Sequence, residues 1–271
     1  MWEEANVGLE VSDYYKGSLE RRMFRPPFIQ FFECTNILIE NVKIINSPFW
    51  TVNPAFCDNV VVHGVTIKNP DKNPKGPNTD GINPTSCRNV RISDCFISVG
   101  DDCITIKSGR DADGRKYGKA CENITITNCV MLSGHGGVVI GSEMSGGVKR
   151  VTISNCVFDG TDAGIRLKAS RGRGGVVEQI RVDNIVMRNI QRNAFIFDLF
   201  YDKTSKVEPV SERTPIFRNI HLSNITGREI KQIGYISGIE EMPVQNISFN
   251  NLNMEAEKGF VVNTAKDLSL I

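Results

Sequence analysis

The sequence predicts an all-β protein, a single-stranded right-handed parallel β-helix of roughly eight to ten coils. Three observations carry this. Fragments of one form recur: NILIENVKI from Asn36, NVVVHGVTI from Asn59, NVRISDCFI from Asn89 and NITITNCVM from Asn123. Looser copies follow: VTISNCVF from Val151, IRVDNIVM from Ile180, NIHLSNITG from Asn219 and NISFNNLNM from Asn246. Their first apolar residues lie 23 to 40 residues apart, a spacing that marks solenoids, propellers and arrays. Within each fragment apolar residues alternate, which is the period of a strand and not of a helix. Most units are shorter than the roughly 40 residues that a four-stranded propeller blade needs. One coil per unit, with each strand paired to its equivalent one coil away, fits better.

The repeated residue types have their own reasons. Seven of the eight cysteines occupy two fixed repeat positions: Cys34, Cys57, Cys87 and Cys121 two residues before Asn-Ile or Asn-Val, and Cys95, Cys129 and Cys156 before an apolar pair. Free cysteine packs as a small hydrophobe, so these read as stacked core thiols, with no disulfide and no metal. The recurring asparagines read as inward ladder residues that bond one another and the backbone at each bend. The sequons at Asn123, Asn224 and Asn246 fall on those ladder positions. Longer excursions near 68–79, 107–120 and 198–217 read as loops. No linker is visible, so residues 1–271 read as one domain.

Composition narrows the class. Hydrophobic residues make up 40% and charged residues 23%, with a net charge of +1. That excludes a disordered chain and a nucleic-acid binder relying on bulk charge. No apolar run approaches membrane-spanning length. The N-terminal MWEEANVGLEVSDYYKG has no basic stretch followed by an apolar core, so no signal peptide is read here.

Setting the coils in register brings unusual residues together. NTDGINPT from Asn78, GDDCITIK from Gly100, GHGGVVIG from Gly134 and TDAGIRLK from Thr161 align on Ile82, Ile104, Val138 and Ile165. Asp80 then falls level with Asp102, and Asp101 with His135. Arg166 and Lys168 lie one coil further and share a strand face. Asp and Gly at coil corners are ordinary turn residues. Three aspartates on neighbouring rungs, however, repel, and a purely structural corner would gain more from Asn. Carboxylates forced together are a recognised acid–base arrangement. Negative neighbours would keep Asp101 protonated near neutral or mildly acid pH. His63 and His221 sit in ordinary repeat positions and receive no role. Lys107, Arg171 and Arg173 are further cations that could face a groove, although each alone reads more readily as solvated surface charge.

The motifs NTD (Asn78–Asp80), DD (Asp101, Asp102), GHG (Gly134–Gly136) and R-x-K (Arg166, Lys168) resemble the signature of family 28 glycoside hydrolases, the polygalacturonases. All four occur in that family's order, and the resemblance runs from about Arg25 to Tyr201. GDDCITIKSG and GHGGVVIGSEMSGGV look most like the bacterial and plant exo-acting branch. The resemblance implies inverting hydrolysis of α-1,4 bonds in galacturonan without a cofactor. Asp101 would be the general acid, Asp80 and Asp102 would hold and deprotonate water, and His135 would tune Asp101. Arg166 and Lys168 would read the sugar carboxylate, Tyr201 and Asn78 would contact substrate, and Asn78 would also fix the Asp80 turn. The partner would be an acidic polysaccharide or oligogalacturonide, met outside the cell or in the periplasm by a monomer. Such proteins usually carry more N-terminal coils than precede the motifs here. A rhamnogalacturonan hydrolase is the alternative within the family. Outside it stand a β-eliminating pectate-lyase-like enzyme and a β-helix that only binds polysaccharide.

Overall fold

The computed structural model describes residues 25–71, 76–202 and 206–271. Nine parallel strands stack in one column along the described chain, from Thr35–Glu40 through Asp58–His63, Arg88–Ser93, Cys121–Thr127, Val148–Asp159, Val176–Asp198, Ile216–Ser237 and Val244–Asn263 to Ala265–Leu270. Each pairs in register with its equivalent one coil away, as in Ile37↔Val60, Val60↔Val90 and Val90↔Ile124. This is the parallel β-helix that the repeat predicts. A second column carries the motifs. In it Val52, Ile82, Ile104, Val138, Ile165 and Phe195 are level on successive coils.

Alternation decides what fills the interior. In Arg88–Ser93, Val90 and Ile92 are buried while Asn89 and Arg91 are exposed. The inward residues of every coil form one continuous cluster. Each fully buried Val or Ile stabilises the fold by roughly 1.5–3 kcal/mol. All eight cysteines are free and seven are buried. Cys95, Cys129 and Cys156 are level, between Val65 and Ile185, as stacked core thiols should be.

The asparagines depart from expectation. They lie outside, not inside, at the bends. Asn36, Asn59, Asn89 and Asn123 adopt left-handed backbone with φ of 57–58°, which Asn tolerates better than other side chains with a Cβ. Their amides pass from coil to coil along the exposed surface, Asn59 Nδ2 donating to Asn36 Oδ1 at 2.7 Å and Asn123 Nδ2 to Asn89 Oδ1 at 2.9 Å. A buried ladder would leave half of each amide unmatched in the core, whereas here water satisfies the remainder. Asn224 and Asn246 also donate along the surface, to Asp183 and Asn219. One short helix, Asp111–Tyr117, rises from the 107–120 excursion and ends on Gly118 in left-handed conformation. Parts of the other two excursions lie outside the described residues. No described helix is long and apolar enough to cross a membrane.

Candidate active site

The motif segments converge because each stands at the same corner of consecutive coils. The Gly81 amide donates to Asp102 O at 3.0 Å and the His135 amide to Asp101 O at 2.9 Å, so Asp80 lies over Asp102 and Asp101 under His135. The strands at this corner approach closely. A Cβ on Gly81 would stand 2.4 Å from Cys103 O, and one on Gly134, whose φ is +151°, would stand 2.5 Å from Asp101 O. Gly81, which follows the NTD motif, and Gly134, the first residue of GHG, are therefore what lets the coils close around the carboxylates.

The eight residues singled out from sequence line one open groove of about 650 Å³: Asn78, Asp80, Asp101, Asp102, His135, Arg166, Lys168 and Tyr201. The structure brings all of them together. Asp80 and Asp102 form its buried floor at 3% and 1% exposure. Asp80 Oδ2 accepts from Asn83 Nδ2 at 2.9 Å and Thr105 Oγ1 at 3.1 Å. Asp102 Oδ2 accepts from Lys168 Nζ at 2.9 Å, while its buried Oδ1 accepts no hydrogen bond from any described residue. Asp101 is more open. Its carboxylate accepts from the amides of Asn78 and Asp102 and faces His135 Nδ1 at 3.1 Å. Asn78, exposed and at φ 57°, holds that turn, and its own side chain accepts from Arg25 at 2.9 Å. The Arg166 guanidinium and the Lys168 ammonium both sit over the Tyr201 ring, 5.5 and 5.6 Å from its centre. Phe200 lies instead under Arg171, and Asp202 bonds Ser170, so Tyr201 is the member of that trio that reaches the groove.

Protonation differs from the sequence expectation. Burial, reinforced by the Asp101 and Asp102 charges, raises Asp80 from 3.8 to about 7, against the pull of Lys107. Burial also pushes Asp101 upward. The His135 hydrogen bond, with the charges of His135 and Lys168 and the Asp102 amide, outweighs it and holds Asp101 at about 2. His135 is raised in return, chiefly by its bond to Asp101. In the free site the carboxyl proton therefore rests on Asp80 and not on Asp101. All three carboxylates accept hydrogen bonds, but only Asp101 faces the His135 imidazole, whose bond and charge outweigh its burial.

The model of glycosyl hydrolases family 28 matches residues 14–268. The chain belongs to this family. A probable polygalacturonase of Vitis vinifera is 33% identical over 248 residues, which are 91% of this chain and 49% of that protein. An endo-polygalacturonase of Pectobacterium carotovorum is 31% identical over 86% of this chain and 53% of its own length. The chain thus spans about half the length of these relatives. Among solved structures, the exopolygalacturonase of Thermotoga maritima superposes with a TM-score of 0.84 at 33% identity, covering 99% of this chain and 60% of the other.

Family 28 motifs alone did not reveal the rest of the groove. Phe49, Trp50, Lys107, Arg110 and Glu143 also line it. Lys107 is only 7% exposed and Arg173 6%, which corrects their reading as solvated charge. Arg173 pairs with Asp111, and Arg171 is forked onto Glu241; neither lines the groove. The Lys107 signal was available, since it is level with Thr85 one coil back and directly follows the strand Ile104–Ile106 that the DD motif leads into. Asp101, Asp102 and His135 offer three ligand atoms within 4.8 Å of one another. Lys168 Nζ already holds Asp102 Oδ2, and His135 Nδ1 already faces Asp101 Oδ1.

Asp80 gives a test of this electrostatic picture. The folded state holds its proton between pH 4 and 7, where the unfolded chain has released it, so stability falls as pH rises through that window. Asp80→Asn removes this decline. Its advantage over the parent in urea unfolding should grow from near zero at pH 4 to roughly 2–4 kcal/mol at pH 8. A variant less stable than the parent at every pH would show that the buried carboxyl is not protonated.

Proposed function

We propose that this groove hydrolyses the α-1,4 bonds of galacturonan, with Asp101 as the proton donor and Asp80 with Asp102 as the water-activating pair. The observation that supports it most is three carboxylates in unlike surroundings, one flanked by donors at the groove surface and two on its buried floor. Inverting hydrolysis needs one carboxyl group at the leaving oxygen and another at the attacking water. Asp102 Oδ1, buried and without a protein donor, is the natural acceptor for the water's proton. Asp80, itself protonated below about pH 7, lies with Asp102 on the buried floor of the groove and orients that water. Asp101 must acquire a proton to donate, and His135 Nδ1 at 3.1 Å is its source. When a sugar covers the pair and excludes water, the separated charges lose their solvation, so the neutral pair with the proton on Asp101 gains. The leaving oxygen then takes that proton as the glycosidic bond breaks.

Arg166, over the Tyr201 ring, supplies a planar fork for a sugar carboxylate. Lys168 contributes mainly as the partner of Asp102. All these groups come from one chain, so a monomer suffices. The substrate is a cell-wall polysaccharide, which puts the protein outside the cell or in the periplasm. Exo action rests on the likeness to the Thermotoga maritima exopolygalacturonase.

Incubation with reduced-end-labelled galacturonan oligomers, followed by chromatography and proton NMR of the fresh product, tests each level. Monomer or dimer from one end with inverted anomeric configuration is expected. Retained configuration overturns the water-activating role of Asp80 and Asp102. Cuts throughout the chain remove only the exo assignment, and an unsaturated product absorbing in the ultraviolet would mean elimination instead.

A further inference from the structure

Asp101, Asp102 and His135 are suited to a second kind of chemistry. Each offers one donor atom, and the three lie within 4.8 Å of one another. His135 Nδ1 and Asp101 Oδ1 are 3.1 Å apart. Two zinc bonds of about 2.1 Å span that distance when they meet at about 95°, so a tetrahedral ion asks the two atoms to part only slightly. Both side chains open to the groove. The third donor is what sets this cluster apart from an ordinary acidic surface. Asp102 is almost wholly buried. Lys168 Nζ holds its Oδ2, while its Oδ1 accepts no hydrogen bond from any described residue. A buried carboxylate oxygen without a donor is costly until a proton or a cation meets it. Oδ1 points toward the GHG turn: a Cβ on Gly136, the residue after His135, would stand 3.5 Å from it.

From this geometry we infer that His135 Nδ1, Asp101 Oδ1 and Asp102 Oδ1 form an inhibitory site for a transition-metal dication of the zinc or copper type, with water completing its coordination. One imidazole nitrogen and two carboxylate oxygens suit such an ion, whereas magnesium and calcium favour oxygen alone. Lys168 keeps its bond to Oδ2 throughout. It and Arg166, which lines the same groove, repel a dication, so binding is reversible and weaker than at a structural zinc site. The ion needs the lone pair of Nδ1 and therefore takes the place of the proton between His135 and Asp101, leaving the ring proton on Nε2. It removes the source of the acid's proton and covers the Asp102 oxygen that would receive the proton of water. That this stops turnover rests on the galacturonan reading; that the ion binds does not.

Binding is therefore measured first without substrate. Calorimetric titration with Zn²⁺ in mildly alkaline buffer should show one tight site per chain. Asp101→Asn and His135→Ala should each raise its Kd by about tenfold or more, since even groups behind a metal's ligands are worth that much, while His63→Ala should leave it unchanged. In proton NMR of the parent, which needs no variant to fold, the His135 ring resonances should move with zinc and those of His63 and His221 should stay. Hydrolysis of galacturonan oligomers should fall in step with occupancy and return on adding a chelator, and Mg²⁺ at the same concentration should do neither. Equal zinc affinity in the parent, Asp101→Asn and His135→Ala overturns the site, as does a zinc response at His63 or His221 without one at His135. Zinc bound at His135 with turnover undiminished overturns the inhibitory role. Zinc bound there in a protein that cleaves no galacturonan leaves the site standing and removes the galacturonan reading instead.

Discussion

Replacing Asp101 by Asn should slow hydrolysis of galacturonan oligomers by roughly 10²–10⁴-fold, the usual worth of a positioned proton donor, while oligomer affinity stays near that of the parent. The amide keeps the shape of the carboxyl group. Its single oxygen can keep the Asn78 amide bond at the Oδ2 position, while the NH₂ at the Oδ1 position gives up the Asp102 amide and can donate to a neutral His135. What it lacks is a transferable proton. The loss should fall on kcat and not on KM. His135 should return toward its ordinary pKa as well, because the Asp101 bond is the main cause of its elevation; an imidazole titration by NMR reads this directly. A variant that keeps more than a tenth of parental kcat would remove Asp101 from the acid role.

Lys168→Met should be the most damaging single change to stability in the groove, at about 3–5 kcal/mol in urea unfolding at neutral pH. Lys168 and Asp102 are 11% and 2% exposed in their side chains and 2.9 Å apart. Burial opposes the lysine's charge, yet Asp102 outweighs it and holds the ammonium above its ordinary pKa. Without the cation, a carboxylate is left in the core with one oxygen already unpartnered. The deficit should shrink as pH falls, because the stranded carboxyl can then bind a proton in the folded state. Adding Asp102→Asn to Lys168→Met should recover most of the loss at pH 7. A single variant as stable as the parent at every pH would mean that water, and not Lys168, carries the charge of Asp102.

The fold was legible because a parallel β-helix writes its register into the sequence. Ile82, Ile104, Val138 and Ile165 fall level in the chain as they do in the structure, and once they are aligned the carboxylates follow. The orientation of the asparagines was not legible. Alternation predicts which residues of a strand point inward, but the asparagines stand at the bends, where left-handed backbone turns the side chain out. The placement of charge on Asp101 was hidden for a related reason. Its like-charged neighbours are visible in the motifs, whereas the His135 hydrogen bond, the charges of His135 and Lys168 and the Asp102 amide that together outweigh burial and hold it ionised take their distances only when the turn is built. Trp50 escaped notice because it meets Lys107 across coils through long side chains, at 4.9 Å, and no repeat position marks such a contact.

The groove draws on consecutive coils from Trp50 to Tyr201, each held mainly by the one before and the one after. Stacks of this kind melt from their ends, by a run of nearest-neighbour partings and not by one collapse. Beyond Tyr201 lie the rungs Ile216–Ser237, Val244–Asn263 and Ala265–Leu270, the last of them paired on one side only among the described strands. Those rungs act as a sacrificial margin on that side of the groove: a local opening at Ala265–Leu270 leaves the spacing of the carboxylates untouched, and the wall at Tyr201 is lost only when opening has travelled back through Val244–Asn263 and Ile216–Ser237.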